Sequence, residues 1–181
     1  MDFNLLVDSL KGGKGQMIAA AMSATEERAT QIDFSIPYHS DGQCLMIPKG
    51  SDIASADDLA GKIVTVQEAT TGHIYAEEEL GLEVMAFKNA VECANALMNG
   101  KADAAVLDTI TVNTLVSANP EKLEAVSEPL TEEEYVLGIA KDNESFAAVV
   151  NEVLEQALAD GTIDQLKEKH LEICKSLQNA G

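Results

Sequence analysis

Two hydrophobic periods alternate along the chain, one typical of helices and the other of strands. Phe3, Leu6, Val7 and Leu10 recur at helical spacing and predict an amphipathic opening helix. Short apolar runs, several of them rich in β-branched residues, predict strands. These predicted strands are 16–22, 43–48, 63–67, 82–87, 102–107, 123–126 and 135–140.

Helices are predicted between the strands. The segment SATEERA begins a short helix with Ser23 or Thr25 as its cap, and EATTGHIYAEEEL is a turn that leads into another helix. The remaining predicted helices are 90–99, 109–118, a segment between 143 and 161, and a last helix after it. This repeated order of strands and helices predicts an α/β fold with mostly parallel sheets.

Charge and hydropathy argue against a nucleic-acid-binding protein and against a membrane-spanning helix. The 181 residues include 31 acidic and 12 basic side chains, a formal net charge of −19. This charge argues against nucleic-acid binding, because every phosphate contact would begin against like-charge repulsion. We interpret the charge as serving solubility, with an acidic recognition surface as the alternative. No apolar run approaches the ~18 residues that a membrane-spanning helix needs.

Metal-binding side chains are scattered. Cys44, Cys93 and Cys174 are odd in number and show no CxxC spacing, and the three histidines show no metal-ligand spacing. We therefore expect buried free thiols, with a disulfide between one pair of cysteines as the alternative, and we expect no metal and no cofactor. The N-terminus lacks the basic start and long apolar stretch of a signal peptide. Either the chain is intracellular, or its targeting segment lies outside it.

The first candidate ligand site lies at the end of the predicted strand 16–22. Ligands in open α/β sheets bind at the carboxyl ends of strands, where helix N-termini present unpaired N–H groups. Arg28 offers a two-pronged cation suited to a carboxylate, and Ser23 and Thr25 add hydroxyl groups. The alternative is that Arg28 is a surface helix residue that pairs with a glutamate one turn away.

Two further strand ends complement the first. Thr70 and Thr71 follow one buried strand and supply hydroxyl and amide donors. Asp108 follows another strand and supplies a carboxylate suited to an ammonium group. Together with Arg28 they predict a pocket for a zwitterion, an α-amino acid. The alternative is that the threonines and the aspartate only cap the helices that follow them.

Four stretches carry a family resemblance: AAAMSATEERATQIDFSIPY, DLAGKIVTVQEATTG, ALMNGKADAAVLD and LEQALADGTIDQLKEKH. In the same order and at matching intervals, they resemble the type II periplasmic solute-binding proteins of polar amino acid ABC transporters (family 3). The resemblance covers nearly the whole chain. It implies a non-catalytic binding protein that delivers an amino acid to a membrane permease. It also implies two α/β lobes that close on the ligand, lobe 1 at 1–43 with 138–181 and lobe 2 at 44–137.

The resemblance gives roles to residues of the first lobe. Arg28 corresponds to the residue that forms the salt bridge with the α-carboxylate of the ligand. Ser23, with main-chain groups near Ala21, would hold the same end of the ligand. Phe3 falls where the family often places an aromatic ring against the ligand side chain. The alternative for Phe3 is the apolar face of the opening helix.

Roles in the second lobe follow in the same way. Thr71, with the turn Ala69–Thr70, would meet the carboxylate, and Asp108 would take the α-ammonium group. Gln67 at the pocket wall hints at a polar ligand side chain. One departure from the family lies in this turn, because alanine occupies position 69, where glycine is usual.

The largest departure is at the front of the chain. Family members begin the first lobe with a strand, a helix and a second strand, whereas this chain starts at the next helix. The predicted strand 16–22 would then be an exposed edge. We therefore expect a homodimer, an exchange of elements between copies, or a fragment completed elsewhere. The resemblance also implies a periplasmic or extracellular location, with the full-length form anchored to the membrane as a lipoprotein.

Two other functions stay open. Some relatives on this scaffold are enzymes, dehydratases that act on cyclohexadienyl substrates, and Glu68 is the one candidate for the acid that they require. A sensor module or a remnant that has lost binding is the second alternative.

Overall fold

The computed structural model describes residues 1–178, without the side chains of residues 171 and 174–178. It divides into two compact units. One unit consists of Met1–Asn4 and Asp41–Glu133, and we call it the five-stranded unit after its sheet. The other consists of Leu5–Ser40 and the chain from Glu134 onward, and we call it the four-stranded unit.

The described residues alternate between strands and helices, as the sequence predicts. The strands are β1 (Met17–Ser23), β2 (Ile32–Phe34), β3 (His39–Asp41), β4 (Gln43–Pro48), β5 (Val64–Gln67), β6 (Val84–Phe87), β7 (Ala104–Asp108), β8 (Leu123–Ala125) and β9 (Glu133–Ala140). The α-helices are α1 (Leu6–Lys11), α2 (Glu26–Ala29), α3 (Thr71–Ile74), α4 (Ala90–Met98), α5 (Thr109–Ala118), α6 (Glu144–Ala159) and α7 (Thr162–Gln178). A π-helical turn, Tyr75–Glu79, extends α3.

The α/β class is confirmed, but the expectation of mostly parallel sheets is wrong. In the five-stranded sheet, with the order β6-β5-β7-β4-β8, β5 is parallel to β6 and β7, whereas β4 is antiparallel to β7 and β8. In the other sheet β9 is antiparallel to β1 and β2. Hydrophobic periodicity identifies strands but carries no information on their direction. The three-residue strands β2 and β3 were not predicted, because they are too short to show a period.

The five-stranded sheet is buried on both faces. Along β4, Cys44 and Met46 pack into one apolar cluster with α4 and α5, while Leu45 and Ile47 pack into a second cluster on the opposite face. This double burial explains why β4 and its neighbours read as continuous apolar runs. Because β5 and β7 are parallel neighbours in this sheet, their carboxyl ends lie side by side.

The cysteine prediction is confirmed for two of the three residues. Cys44 and Cys93 are free and buried in the same cluster. Burial raises the pKa of each thiol to about 11, because an apolar environment disfavours the thiolate. Both thiols are therefore protonated at neutral pH. The side chain of Cys174 lies outside the described part of the chain.

The four-stranded sheet is organised around β9, which pairs with β1, β2 and β3. Strand β1 stands at one end of the sheet, so among residues 1–178 it has a partner strand on one side alone. Its pairing with β9 shifts register between Ile18 and Met22, which marks a bulge. The edge position agrees with the sequence expectation, and the homodimer stays a prediction.

Candidate functional site

Arg28 is held by residues a few positions before it. Thr25 caps α2, its hydroxyl oxygen accepting a hydrogen bond from the N–H of Arg28. The Arg28 guanidinium donates through Nη1 to the carbonyl oxygen of Ser23 at 2.7 Å, and the residue is 8% exposed. The alternative of a surface helix residue is therefore wrong for Arg28. Of the two predicted caps, Thr25 serves as the cap and Ser23 ends β1.

Ala21 adopts a strained backbone conformation just before this arginine. Its φ is +48°, in the left-handed region that residues with a Cβ rarely occupy. The strain lies within the β1 bulge, and the hydroxyl of Tyr38 is hydrogen-bonded to the Ala21 backbone. Such strain persists only where surrounding contacts hold it, and it clusters at functional sites.

The turn after β5 has the same feature. Ala69 has a φ of +60°, and its N–H donates to Nδ1 of His73 at 3.3 Å. The other ring nitrogen of His73 lies 3.3 Å from a carboxylate oxygen of Glu77. His73 is half-buried and supports this turn. Alanine thus adopts the conformation for which glycine is usual.

The two threonines after this turn have different roles. Thr70 is the cap of α3, since its hydroxyl accepts from the N–H of His73 and donates to the carbonyl of Gln67 at 2.8 Å. The capping alternative is therefore confirmed for Thr70, whose proton is already engaged. Thr71 is the first residue of the helix, and its hydroxyl donates instead to a carboxylate oxygen of Glu133 at 2.6 Å.

Asp108 stands at the N-cap position of α5 but does not cap it, so the capping alternative is wrong for this residue. Other groups satisfy the first turn of the helix: Asp41 Oδ2 accepts from the N–H of Ile110, and the Gly42 carbonyl accepts from Thr109. The Asp108 carboxylate accepts a hydrogen bond from Nε2 of Gln43 at 2.9 Å.

In the five-stranded unit, the side chain of Gln43 connects the two predicted ligand residues Asp108 and Thr71 with Glu133. Besides Asp108, its Nε2 lies 3.0 Å from Oε1 of Glu133 and 3.3 Å from the Thr71 hydroxyl. Thr131 donates to the same Glu133 oxygen at 3.0 Å and accepts from the N–H of Gln43. Sequence reasoning missed Gln43, Glu133 and Thr131. The one signal that could have drawn attention to Gln43 was a polar residue opening an otherwise apolar strand.

The orientation of Gln43 leaves one polar atom unsatisfied. The residue is 1% exposed, and its Oε1 has no hydrogen-bond partner among the described residues. A Cβ at position 72 would collide with this oxygen, so the helix start needs Gly72. An orphaned buried carbonyl costs about 1–3 kcal/mol. The hydrogen bonds from Nε2 to Asp108 and Glu133 offset that cost, because hydrogen bonds to charged acceptors are stronger than those between neutral groups.

The other predicted site residues lie in local contacts. Phe3 opens a 3₁₀ turn before α1 and is half-buried. Gln67 ends β5 and donates through its side chain to the carbonyl of Lys88 at 3.4 Å. Glu68 accepts from the side chain of Asn4 at 3.1 Å. Among the described residues no group of three or more side chains could hold a metal ion, and no helix is long and apolar enough to cross a membrane.

Known proteins are similar to this chain over most of its length. The family model for bacterial extracellular solute-binding proteins, family 3, matches residues 1–173. The ABC transporter glutamine-binding protein GlnH of Bacillus subtilis is 30% identical over 165 residues, which are 90% of this chain. The chain spans 60% of the length of GlnH.

Solved structures agree in fold. An ancestral arginine-binding protein bound to arginine is 36% identical, with a TM-score of 0.87 over 93% of this chain and 77% of its own. The arginine-, lysine-, histidine-binding protein ArtJ from Geobacillus stearothermophilus is 31% identical, with a TM-score of 0.86 over 93% of this chain and 74% of its own. These similarities match the two-lobed type II periplasmic binding fold.

Proposed function

The chain belongs to family 3 of the bacterial extracellular solute-binding proteins, and we propose that it binds one L-amino acid for delivery to the permease of an ABC transporter. Proteins related to it are amino acid-binding components of such transporters. Because the chain spans part of the length of these relatives, its ligand, its delivery step and its membrane anchoring are proposals about the whole protein.

The observation that carries the proposal is that Asp108 stands at the start of α5 without capping it. A carboxylate at the start of a helix is ordinarily a cap. Here Asp41 and Gly42 satisfy the first N–H groups of α5 instead. Gln43 holds the Asp108 carboxylate through its side-chain amide, and a carboxylate has several acceptor positions to offer a cationic group. We assign it the α-ammonium group of the ligand.

Arg28 is the proposed partner of the α-carboxylate. Its guanidinium donates to the Ser23 carbonyl oxygen, and this hydrogen bond fixes its position. A guanidinium fixed in this way loses little conformational entropy when it binds a carboxylate in a bidentate manner. Ser23 and the backbone at Ala21 complete this set of residues.

Thr71, with the turn Ala69–Thr70, is proposed to bind the same carboxylate. Ala69 and Ala21 are two of the three non-glycine residues with positive φ among residues 1–178. Both lie in the predicted ligand-binding segments, and each is held by a side-chain contact to its backbone. This coincidence of strain with predicted ligand contacts supports the assignment.

The identity of the amino acid is left to experiment. The related proteins are named for glutamine, for arginine, and for arginine, lysine and histidine. Side-chain selectivity therefore varies within the family. The half-buried Phe3 and Gln67 are the residues that we propose to face the ligand side chain.

The enzymatic alternative has no comparable support. Glu68, the one candidate acid, accepts a hydrogen bond from Asn4 as an ordinary polar contact. The related proteins described above are binding proteins. We therefore propose a transport function.

A thermal-shift screen with all twenty L-amino acids tests the proposed function. A ligand that binds only the folded protein raises the midpoint of unfolding, and the shift grows with the logarithm of the ratio of ligand concentration to dissociation constant. We expect one amino acid or a few related ones to stabilise the protein. Stabilisation by none of the twenty would contradict binding and favour the sensor or remnant interpretation.

A further inference from the structure

Two acceptors compete for the hydroxyl proton of Thr71, the Glu133 carboxylate and the proposed ligand carboxylate. In the structure it is donated to Oε2 of Glu133 at 2.6 Å, a short hydrogen bond to a charged acceptor. In the proposed binding mode the same hydroxyl donates to the carboxylate of an amino acid. A threonine hydroxyl has a single proton, so it cannot donate to both acceptors at once.

We propose that Glu133 is a further residue of the binding site, one that sets its affinity by competing with the ligand carboxylate for Thr71. This inference rests on the proposed function. Binding then requires the Thr71 hydroxyl to turn from Glu133 to the ligand. The free energy of the bond to Glu133 is subtracted from the free energy of binding.

The surroundings of Glu133 keep its carboxylate in place. Its other oxygen, Oε1, accepts from Nε2 of Gln43 at 3.0 Å and from the hydroxyl of Thr131 at 3.0 Å. Gln43 is almost fully buried, and its position is fixed in turn by Asp108 and by the backbone of β4. These contacts fix the Glu133 carboxylate, so that Oε2 is held within hydrogen-bond distance of the Thr71 hydroxyl.

Glu133 also occupies a particular place along the chain. It is the last residue of the five-stranded unit, and the chain passes into the other unit at the next residue. Its two neighbours, Glu132 and Glu134, are exposed, whereas Glu133 is half-buried. Three consecutive glutamates thus differ in environment, and the middle one accepts a hydrogen bond from the predicted ligand residue Thr71.

The substitution Glu133→Gln tests this inference with little change of shape. The amide oxygen can accept from Gln43 and Thr131 as the carboxylate does, while the amide nitrogen donates to the Thr71 oxygen. The polarity of the contact is thereby reversed, and the Thr71 proton becomes available to a ligand. Because the hydrogen bond from Thr71 to a charged acceptor no longer competes with the ligand, we expect roughly 10-fold tighter amino acid binding, which corresponds to about 1.4 kcal/mol.

The controls are Glu132→Gln and Glu134→Gln, which make the same change of charge one residue away. All four proteins are titrated by calorimetry with each L-amino acid that stabilises the wild type. They are also titrated with the matching amine that lacks the carboxylate, which is agmatine for arginine and histamine for histidine. Unfolding in urea confirms that each variant is folded.

The expected result is tighter binding of the amino acid by Glu133→Gln alone, with no gain for the decarboxylated amine. Equal gains in all three variants would overturn the inference, because they would show a general effect of charge. Weaker binding by Glu133→Gln alone would also overturn it, since Glu133 would then contact the ligand as a partner. If no amino acid stabilises any of the four proteins, the proposed function fails and the inference fails with it.

Discussion

The two groups of candidate ligand residues are assembled in different ways. In the four-stranded unit, Arg28 is positioned by Thr25 and Ser23, three and five residues away in sequence. In the five-stranded unit, Gln43 joins Asp108 and Glu133 across 65 and 90 residues. The contacts described for Arg28 are close in sequence, whereas those of Gln43 follow from the order of strands in the sheet.

This difference predicts different sensitivity to mutation. Contacts close in sequence depend on the end of β1, on α2 and on its cap, so we expect a substitution there to affect few other residues. A network spread over β4, β7 and β9 couples ligand contacts to the framework of the unit, and substitutions there change binding and stability together.

Arg28→Ala should weaken amino acid binding by at least about 100-fold, because it removes the guanidinium proposed to bind the α-carboxylate. It also leaves the buried Ser23 carbonyl without this donor, which should lower the free energy of unfolding by about 1–3 kcal/mol. Calorimetry and urea unfolding measure the two effects separately.

Arg28→Lys is the matched control for the arginine. It keeps the charge but not the two-pronged geometry, so its affinity should fall between those of the wild type and Arg28→Ala. Binding by Arg28→Ala within a few-fold of the wild type would show that the local group does not bind the ligand.

Asp108→Asn should weaken binding of an amino acid by roughly 30-fold, because a charge-assisted bond to the ammonium group contributes about 2 kcal/mol. The asparagine oxygen can still accept from Gln43, so the network and the fold should persist. The des-amino analogue of the same amino acid should lose little affinity, and competition binding measures both. Equal losses for the two ligands would assign Asp108 a structural role.

Ala69→Gly and Ala21→Gly should each change stability by less than about 1 kcal/mol, in the stabilising direction. Glycine relieves the strain of a positive φ, although it also increases the entropy of the unfolded chain. Ala125→Gly, at an exposed residue of β8, is the control and should be destabilising. Destabilisation by all three substitutions would show that neither turn is strained.

The same difference explains what the sequence could predict. The helix that carries Arg28, its threonine cap and the strand before it were all predicted, because caps and hydrophobic runs are local signals. The seven predicted strands were found for the same reason. Asp108 and Thr71 were predicted from their positions after buried strands and from the family resemblance.

The contacts among these residues could not be predicted in the same way. The antiparallel placement of β4 brings Gln43 beside Asp108, and the sequence gives no indication of that register. Glu133 stands between two other glutamates, so nothing in its local sequence separates it from them. Thr70 caps α3 through residues close in sequence, whereas the adjacent Thr71 donates to the distant Glu133, and the sequence does not distinguish the two roles.

Recognition of both charged ends of an L-amino acid can be tested by one calorimetric comparison. The best amino acid from the thermal-shift screen is titrated alongside its des-amino and decarboxylated counterparts, with the wild-type chain. We expect one-to-one binding of the amino acid and at least about 30-fold weaker binding of each counterpart. Equal affinity for all three compounds would contradict it.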